Sequence, residues 1–169
     1  MYTPKIGKQV FIHPSATVHG KVTLKDYVSI WPGVVLRGDL NQIVIGSYTN
    51  IQDLSVVHVE RSLDCRIGEY CVVGHSVILH GCKVGDGVLV GMGAIVLNES
   101  RIGSGALIGA GALVPEGSRL EPETLYLGMP AKKVRKLTRR EVRFTIESAK
   151  RYVQLAKRHK ADEFRDYQS

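Results

Sequence analysis

Residues 84–120 read VGDGVLVGMGAIVLNESRIGSGALIGAGALVPEGSRL. An aliphatic residue returns every six positions: Val84, Val90, Val96, Ile102, Ile108, Val114 and Leu120. Two residues before each return stands a small or β-branched one: Val88, Ala94, Ser100, Ala106, Ala112 and Ser118. In an extended chain those two side chains share a face. Each hexapeptide is therefore a short strand with an inward pair, closed by a tight turn. Gly follows the aliphatic residue at 85, 91, 103 and 109, and its tolerance of positive φ assigns it to the turn. A sustained period of six marks a parallel β-helix. A β-sandwich would not hold one period for so long.

Outward from this stretch the period continues. Upstream it runs Ile12, Val18, Leu24, Ile30 and Leu36, then Ile45, Ile51 and Val57, then Ile67, Val73 and Leu79; downstream it reaches Tyr126. The pattern resembles the β-helix of the hexapeptide-repeat superfamily, in which three hexapeptides make one triangular coil of 18 residues; the resemblance implies about six coils over roughly residues 10–127. Three repeats break the rule. Leu36 to Ile45 holds three extra residues, Val57 to Ile67 holds four, and Leu79 to Val84 is one short. Such departures map to loops, often on the functional side.

Past Gly128-Met129-Pro130-Ala131 the period stops. Thr138-Arg139-Arg140-Glu141 reads as a capping box. Val142, Ile146, Ala149, Val153 and Ala156 form the apolar stripe of the helix that follows. The chain thus divides into a β-helix domain, 1–131, and a linker with an α-helix, 132–169, packed on it. Charge divides at the same place: net −1 before, net +8 after. Cations alternating with an apolar stripe read as a solvated helix face, so no nucleic-acid partner is expected. No apolar run approaches the ~20 residues of a membrane span, and no secretory signal is apparent. Cys65, Cys71 and Cys82 form no paired motif, which fits free thiols in a cytoplasmic protein.

The repeat also decodes the histidines. His58 follows Val57 and His80 follows Leu79, so both hold the second place of their repeats. They are 22 apart: one coil of 18 plus the four extra residues. Both belong at one corner of adjacent coils, about 4.8 Å apart along the axis, where two imidazoles can share a metal. Arg37 joins the same column. His75 holds the third place of its repeat, a triangle side away, with Asp53 beneath it and Gln52 alongside. The two corners carry complementary halves of one site. A cyclic trimer would close them into three sites, each with three His ligands and an open position for water. His13 and His19 read as surface residues.

The carriers Arg37-Gly38-Asp39, Asn50-Ile51-Gln52-Asp53, His58, Gly74-His75 and His80-Gly81 resemble the γ-class carbonic anhydrase family, over nearly the whole chain. The resemblance implies a left-handed β-helix and a homotrimer. His58, His75 and His80 would bind Zn²⁺, or Fe²⁺ or Co²⁺. The implied activity is reversible hydration of CO₂ to bicarbonate by a metal-bound hydroxide at trimer interfaces. Gln52 would hydrogen-bond that hydroxide, Asp53 would stand near it, and Arg37 and Asp39 would pair across the interface. The chain departs at Leu40, where active members carry a glutamate, and in the short loop after His58, where Glu60 is the candidate proton shuttle. Tyr126 is a further pocket candidate. Two alternatives stand beside this: a CoA-dependent hexapeptide acyltransferase, which needs one His and no metal, and a relative with little hydratase activity.

Overall fold

A computed structural model describes residues 2–164; the end of the expected C-terminal segment, 165–169, lies outside them. All strands but the last stack into three parallel faces; the last, Lys132–Lys136, pairs antiparallel with Thr124–Leu127. The first face stacks Phe11–Ile12, Ser29–Ile30, Asn50–Ile51, Val72–Val73, Leu89–Val90, Leu107–Ile108 and Thr124–Leu127. The second stacks the start of Thr17–Leu24, the start of Val35–Ile45, then Val56–His58, Ile78–His80, Ile95–Val96 and Leu113–Val114. The third stacks Lys5–Ile6, the ends of the same two long strands, then Cys65–Ile67, Lys83–Val84, Arg101–Ile102 and Arg119–Leu120. The result is a parallel β-helix of about seven turns. The turn beyond the expected six starts at Lys5–Ile6, ahead of the first recognised repeat.

The inward positions are those the period names. Ile30, Leu36, Ile45, Ile51, Val57, Val73, Leu79, Val90, Val96, Ile108 and Val114 are fully buried in one continuous core. At the open ends Ile12, Val18 and Leu120 are only partly buried. Tyr126 also points inward. Its hydroxyl accepts from the Glu121 N–H at 2.9 Å, so it is a core residue and not part of a pocket.

The glycines need a correction. Positive φ falls at the fourth place of the repeat, as at Gly87 (63°) and Tyr48 (62°). The glycines of the second place, such as Gly91, do not have it. A Cβ on Gly91 would lie 2.5 Å from the Ala110 backbone nitrogen of the next coil. These glycines let successive coils approach closely; they do not supply the turn.

The helix spans Arg139–Lys160. Thr138 is its N-cap, and Glu141 closes the capping box on the Thr138 N–H and hydroxyl. Thr145, Ala149, Val153 and Ala156 are its buried positions. It lies on the first face of its own chain, where Tyr152 meets Trp31 edge-on at 5.6 Å and Ala156 packs with Phe11 and Trp31. No helix among the described residues is long and apolar enough to cross a membrane.

Candidate metal centre

All three irregular repeats meet at the corner between the second and third faces. The residues inserted after Leu36 bulge within the long strand Val35–Ile45. Those inserted after Val57 form a tight loop, closed by backbone bonds between Glu60 and Leu63. The Asn41 amide donates to the Arg61 carbonyl at 3.1 Å and ties the two insertions together. The insertions absorb the register error, so the pairing beneath stays true. His19, Arg37, His58 and His80 are successive Cα partners in one column.

Within that column the side chains form a chain of polar contacts. Arg37 Nη1 donates to Asp39 Oδ2. His58 Nε2 donates to Asp39 Oδ1 at 3.0 Å. His58 Nδ1 faces His80 Nε2 at 3.0 Å. His80 Nδ1 donates to Asn98 Oδ1 at 2.6 Å. Partial desolvation pushes the Asp39 carboxyl up, but hydrogen bonds from Arg37 and then His58 outweigh it and hold the group at about 2. Arg37 and Asp39 thus pair within one chain.

The donor set suits a divalent cation. Asp39 and the Asn98 carbonyl oxygen are both acceptors, so each outer nitrogen keeps its proton. In a neutral pair the two inner nitrogens then present lone pairs to each other, an arrangement a cation relieves. Tetrahedral zinc, with Zn–N near 2.0–2.1 Å, places its ligand nitrogens about 3.3 Å apart. The observed 3.0 Å needs only a small opening.

His75 stands at the other corner, between the first and second faces. Its Nδ1 donates to Asp53 Oδ2 at 3.0 Å, which leaves Nε2 free to ligate, and its side chain is 47% exposed. Gln52 is buried beside it, with Nε2 donating to Asn50 Oδ1 at 3.0 Å. Among the described residues, no three His, Cys, Asp or Glu side chains converge on one point. The second face separates His75 from His58 and His80. Glu60, among the described residues, makes only its backbone bonds with Leu63. Leu40 is exposed next to Asp39, and its N–H donates to Asp39 Oδ1.

Asn98 was not among the sequence candidates. An asparagine ahead of Glu99-Ser100 reads as an ordinary turn residue. The signal that finds it is the coil length, since it lies 18 residues beyond His80.

The fold is that of a hexapeptide-repeat β-helix protein, with His58 and His80 at one corner and His75 at another. Residues 3–38, 64–98 and 81–116 match the family model described as bacterial transferase hexapeptide (six repeats). The chain is 52% identical over 151 residues to a Methanocaldococcus jannaschii protein named "Probable carbonic anhydrase", covering 89% of this chain and 95% of that one. It is 41% identical over 172 residues to Gamma carbonic anhydrase 2, mitochondrial, of Arabidopsis thaliana, covering 98% of this chain and 62% of that one. A crystal structure of a hexapeptide transferase family protein from Anaplasma phagocytophilum superposes with a TM-score of 0.89 at 38% identity, covering 92% of each chain. The chain belongs to the γ-class carbonic anhydrase family of hexapeptide-repeat proteins.

Proposed function

We propose that this protein reversibly hydrates CO₂ at a divalent metal, Zn²⁺ or alternatively Fe²⁺ or Co²⁺, shared between subunits of a homotrimer. His58 and His80 of one copy would hold the metal with His75 of a neighbouring copy. When bound, the metal would supply an acidified water, with a pKa lowered to about 7. The observation that carries this reading is the pair of converging nitrogens at 3.0 Å, with both outer nitrogens held by acceptors.

The chain's own residues prepare the rest. Asp39, kept ionised by Arg37, orients His58 and places a carboxylate at the pocket edge. Asp53 orients His75 toward a neighbour. The Gln52 amide, braced by Asn50, is set at the His75 corner to bind a polar atom of the substrate or product. Leu40 offers no proton acceptor; of the two carboxylates on the short loop, Asp64 pairs with Arg66 and Lys83, which leaves Glu60 as the candidate shuttle. Proton export would then set the turnover, and a slow hydratase is the expected phenotype.

An apolar surface supports the oligomer as well. The outward ladder of the second face is apolar, and Ile78 on it is 40% exposed. A CoA-dependent acyltransferase would use a single His as base; here all three histidines are committed to acceptors or to one another.

Subunit mixing tests the reading directly. His75→Ala and His80→Ala chains each lose stoichiometric metal when alone. Unfolded together and refolded, they should regain intact sites at roughly one in four interfaces by random assembly, measured as bound zinc and as CO₂ hydration in stopped flow. No recovery in mixed trimers would overturn a shared site. Acetyl-CoA turnover by metal-free protein would favour the transferase.

A further inference from the structure

Each proposed ligand has an acceptor behind it. His58 has Asp39 and His75 has Asp53, and both carboxylates lie in the stretches that mark the family. The third acceptor, Asn98, lies outside those stretches, in the regular part of the repeat. We propose that Asn98 is a positioning residue that fixes His80 in its Nδ1–H tautomer and so presents Nε2 as the ligating atom. The proposal rests on the metal reading above.

Three observations carry it. The contact is the shortest of those that the histidines make, 2.6 Å from Nδ1 to Oδ1. Asn98 is held from both neighbouring coils: its carbonyl accepts from the Gly117 N–H at 2.8 Å, and the next residue, Glu99, donates to the Gly81 carbonyl at 3.0 Å. Gly81 clears its path. A Cβ there would lie 2.5 Å from Asn98 Oδ1, so the residue after His80 must lack a side chain for the amide to reach the ring. Gly81 also has φ of +52°. The shortened repeat, the glycine and the asparagine thereby form one device aimed at a single ring nitrogen.

The competing arrangement is explicit. If the Asn98 amide turned over, its NH₂ would donate to Nδ1. His80 would then carry its proton on Nε2 and give it to His58 Nδ1, 3.0 Å away. That state satisfies both rings without a cation and opposes metal binding. The oxygen-inward orientation selects against it.

The test uses the full-length protein with Asn98→Leu, Asn98→Asp and, should leucine disturb the fold, Asn98→Ser. Long-range ¹H–¹⁵N spectra of metal-free protein read the tautomer. Wild type and Asn98→Asp should show His80 protonated at Nδ1, and Asn98→Leu should lose that preference. Competition for Zn²⁺ against a chelator should show a 10- to 100-fold loss for Asn98→Leu or Asn98→Ser, as for other residues behind metal-bound histidines. Asn98→Asp should recover most of that loss. A neutral Nε2–H tautomer in the wild type, or unchanged zinc affinity in both the Leu and Ser variants, would overturn the proposal. Failure of wild type itself to bind zinc would instead remove the metal reading, while the tautomer would still report on Asn98.

Discussion

Along the second face the outward residues of successive strands run Thr17, Val35, Val56, Ile78, Ile95 and Leu113. Along the third they run Lys5, Thr23, Val44, Arg66, Lys83, Arg101 and Arg119. Period, strand spacing and inward core are the same. Only the sixth place of the repeat differs, and it makes one face sticky and the other repellent. Four cations stack in register on the third face, and Asp64 pairs with just two of them, Arg66 and Lys83. Like charges directly opposite one another oppose association as well as stability. The first face is closed by the chain's own helix. One uncovered face is therefore left to bury apolar side chains, and it is bordered by His75 on one side and His58 with His80 on the other. The surface that would drive assembly and the surface that would complete the site are the same.

Ile78 stands at the centre of the apolar ladder. Ile78→Lys, which extends the cationic pattern onto the second face, should turn a trimer into monomer at micromolar concentration in sedimentation velocity, with loss of bound zinc. Arg101→Leu on the third face should leave the mass unchanged. A trimer that survives Ile78→Lys would show that the apolar ladder is not the interface.

Next in size is the cover of the first face. Thr138→Ala removes half the capping box and should cost about 1 kcal/mol, read by urea unfolding. The single tryptophan, Trp31, packs against Tyr152 of the helix, so its emission reports undocking.

Acid should loosen the same helix. Hydrogen bonds from Arg135 and then Thr138 hold the Glu141 carboxyl at about 2, below its ordinary 4.5. A depressed acid stabilises the folded state fully above its unfolded pKa. The contribution of Glu141 is therefore complete above about pH 4.5 and is lost as pH falls toward 2. Trp31 emission should shift across that window, and Glu141→Gln should flatten the shift.

The smallest effect belongs to the third face. Arg101→Gln should stabilise the chain by about 0.2–1 kcal/mol at low salt by relieving stacked like charge. Added salt should erase the gain, since the screening length falls to about 3 Å at 1 M. A gain that persists at 1 M would place its origin in packing instead.

Much of this was legible in the sequence. The inward set could be named because a period of six with two aliphatic places has no other compact solution. Pairing of His58 with His80 could be read because inserted residues loop out and leave the coil count intact. Other features depend on contacts between coils that a linear pattern does not carry. The glycines of the second place looked like turn residues, yet it is the backbone of the next coil that excludes their side chains. Tyr126 looked like a pocket residue, but its place in the period turns it inward. Asn98 went unnoticed because its partner is defined only once His80 and Gly81 are set in space. Arg37 and Asp39 close on each other within the chain, two residues apart on the same bulge, a contact that the hexapeptide pattern does not carry.

The coils beyond Arg101 follow the 18-residue spacing without insertion, and in such a stack each coil rests only on its neighbours. Length on that side is consequently set by the reach of the helix back to Phe11 and Trp31 and not by the histidines. A whole coil inserted beyond Gly117 would keep the histidine register and shift the helix by one coil along Phe11 and Trp31. One residue gained or lost between His58 and His80 would instead rotate a ligand off its corner. The molecule behaves like a ruler with one graduated segment, where every residue counts, and a blank extension that can be cut to suit its helix.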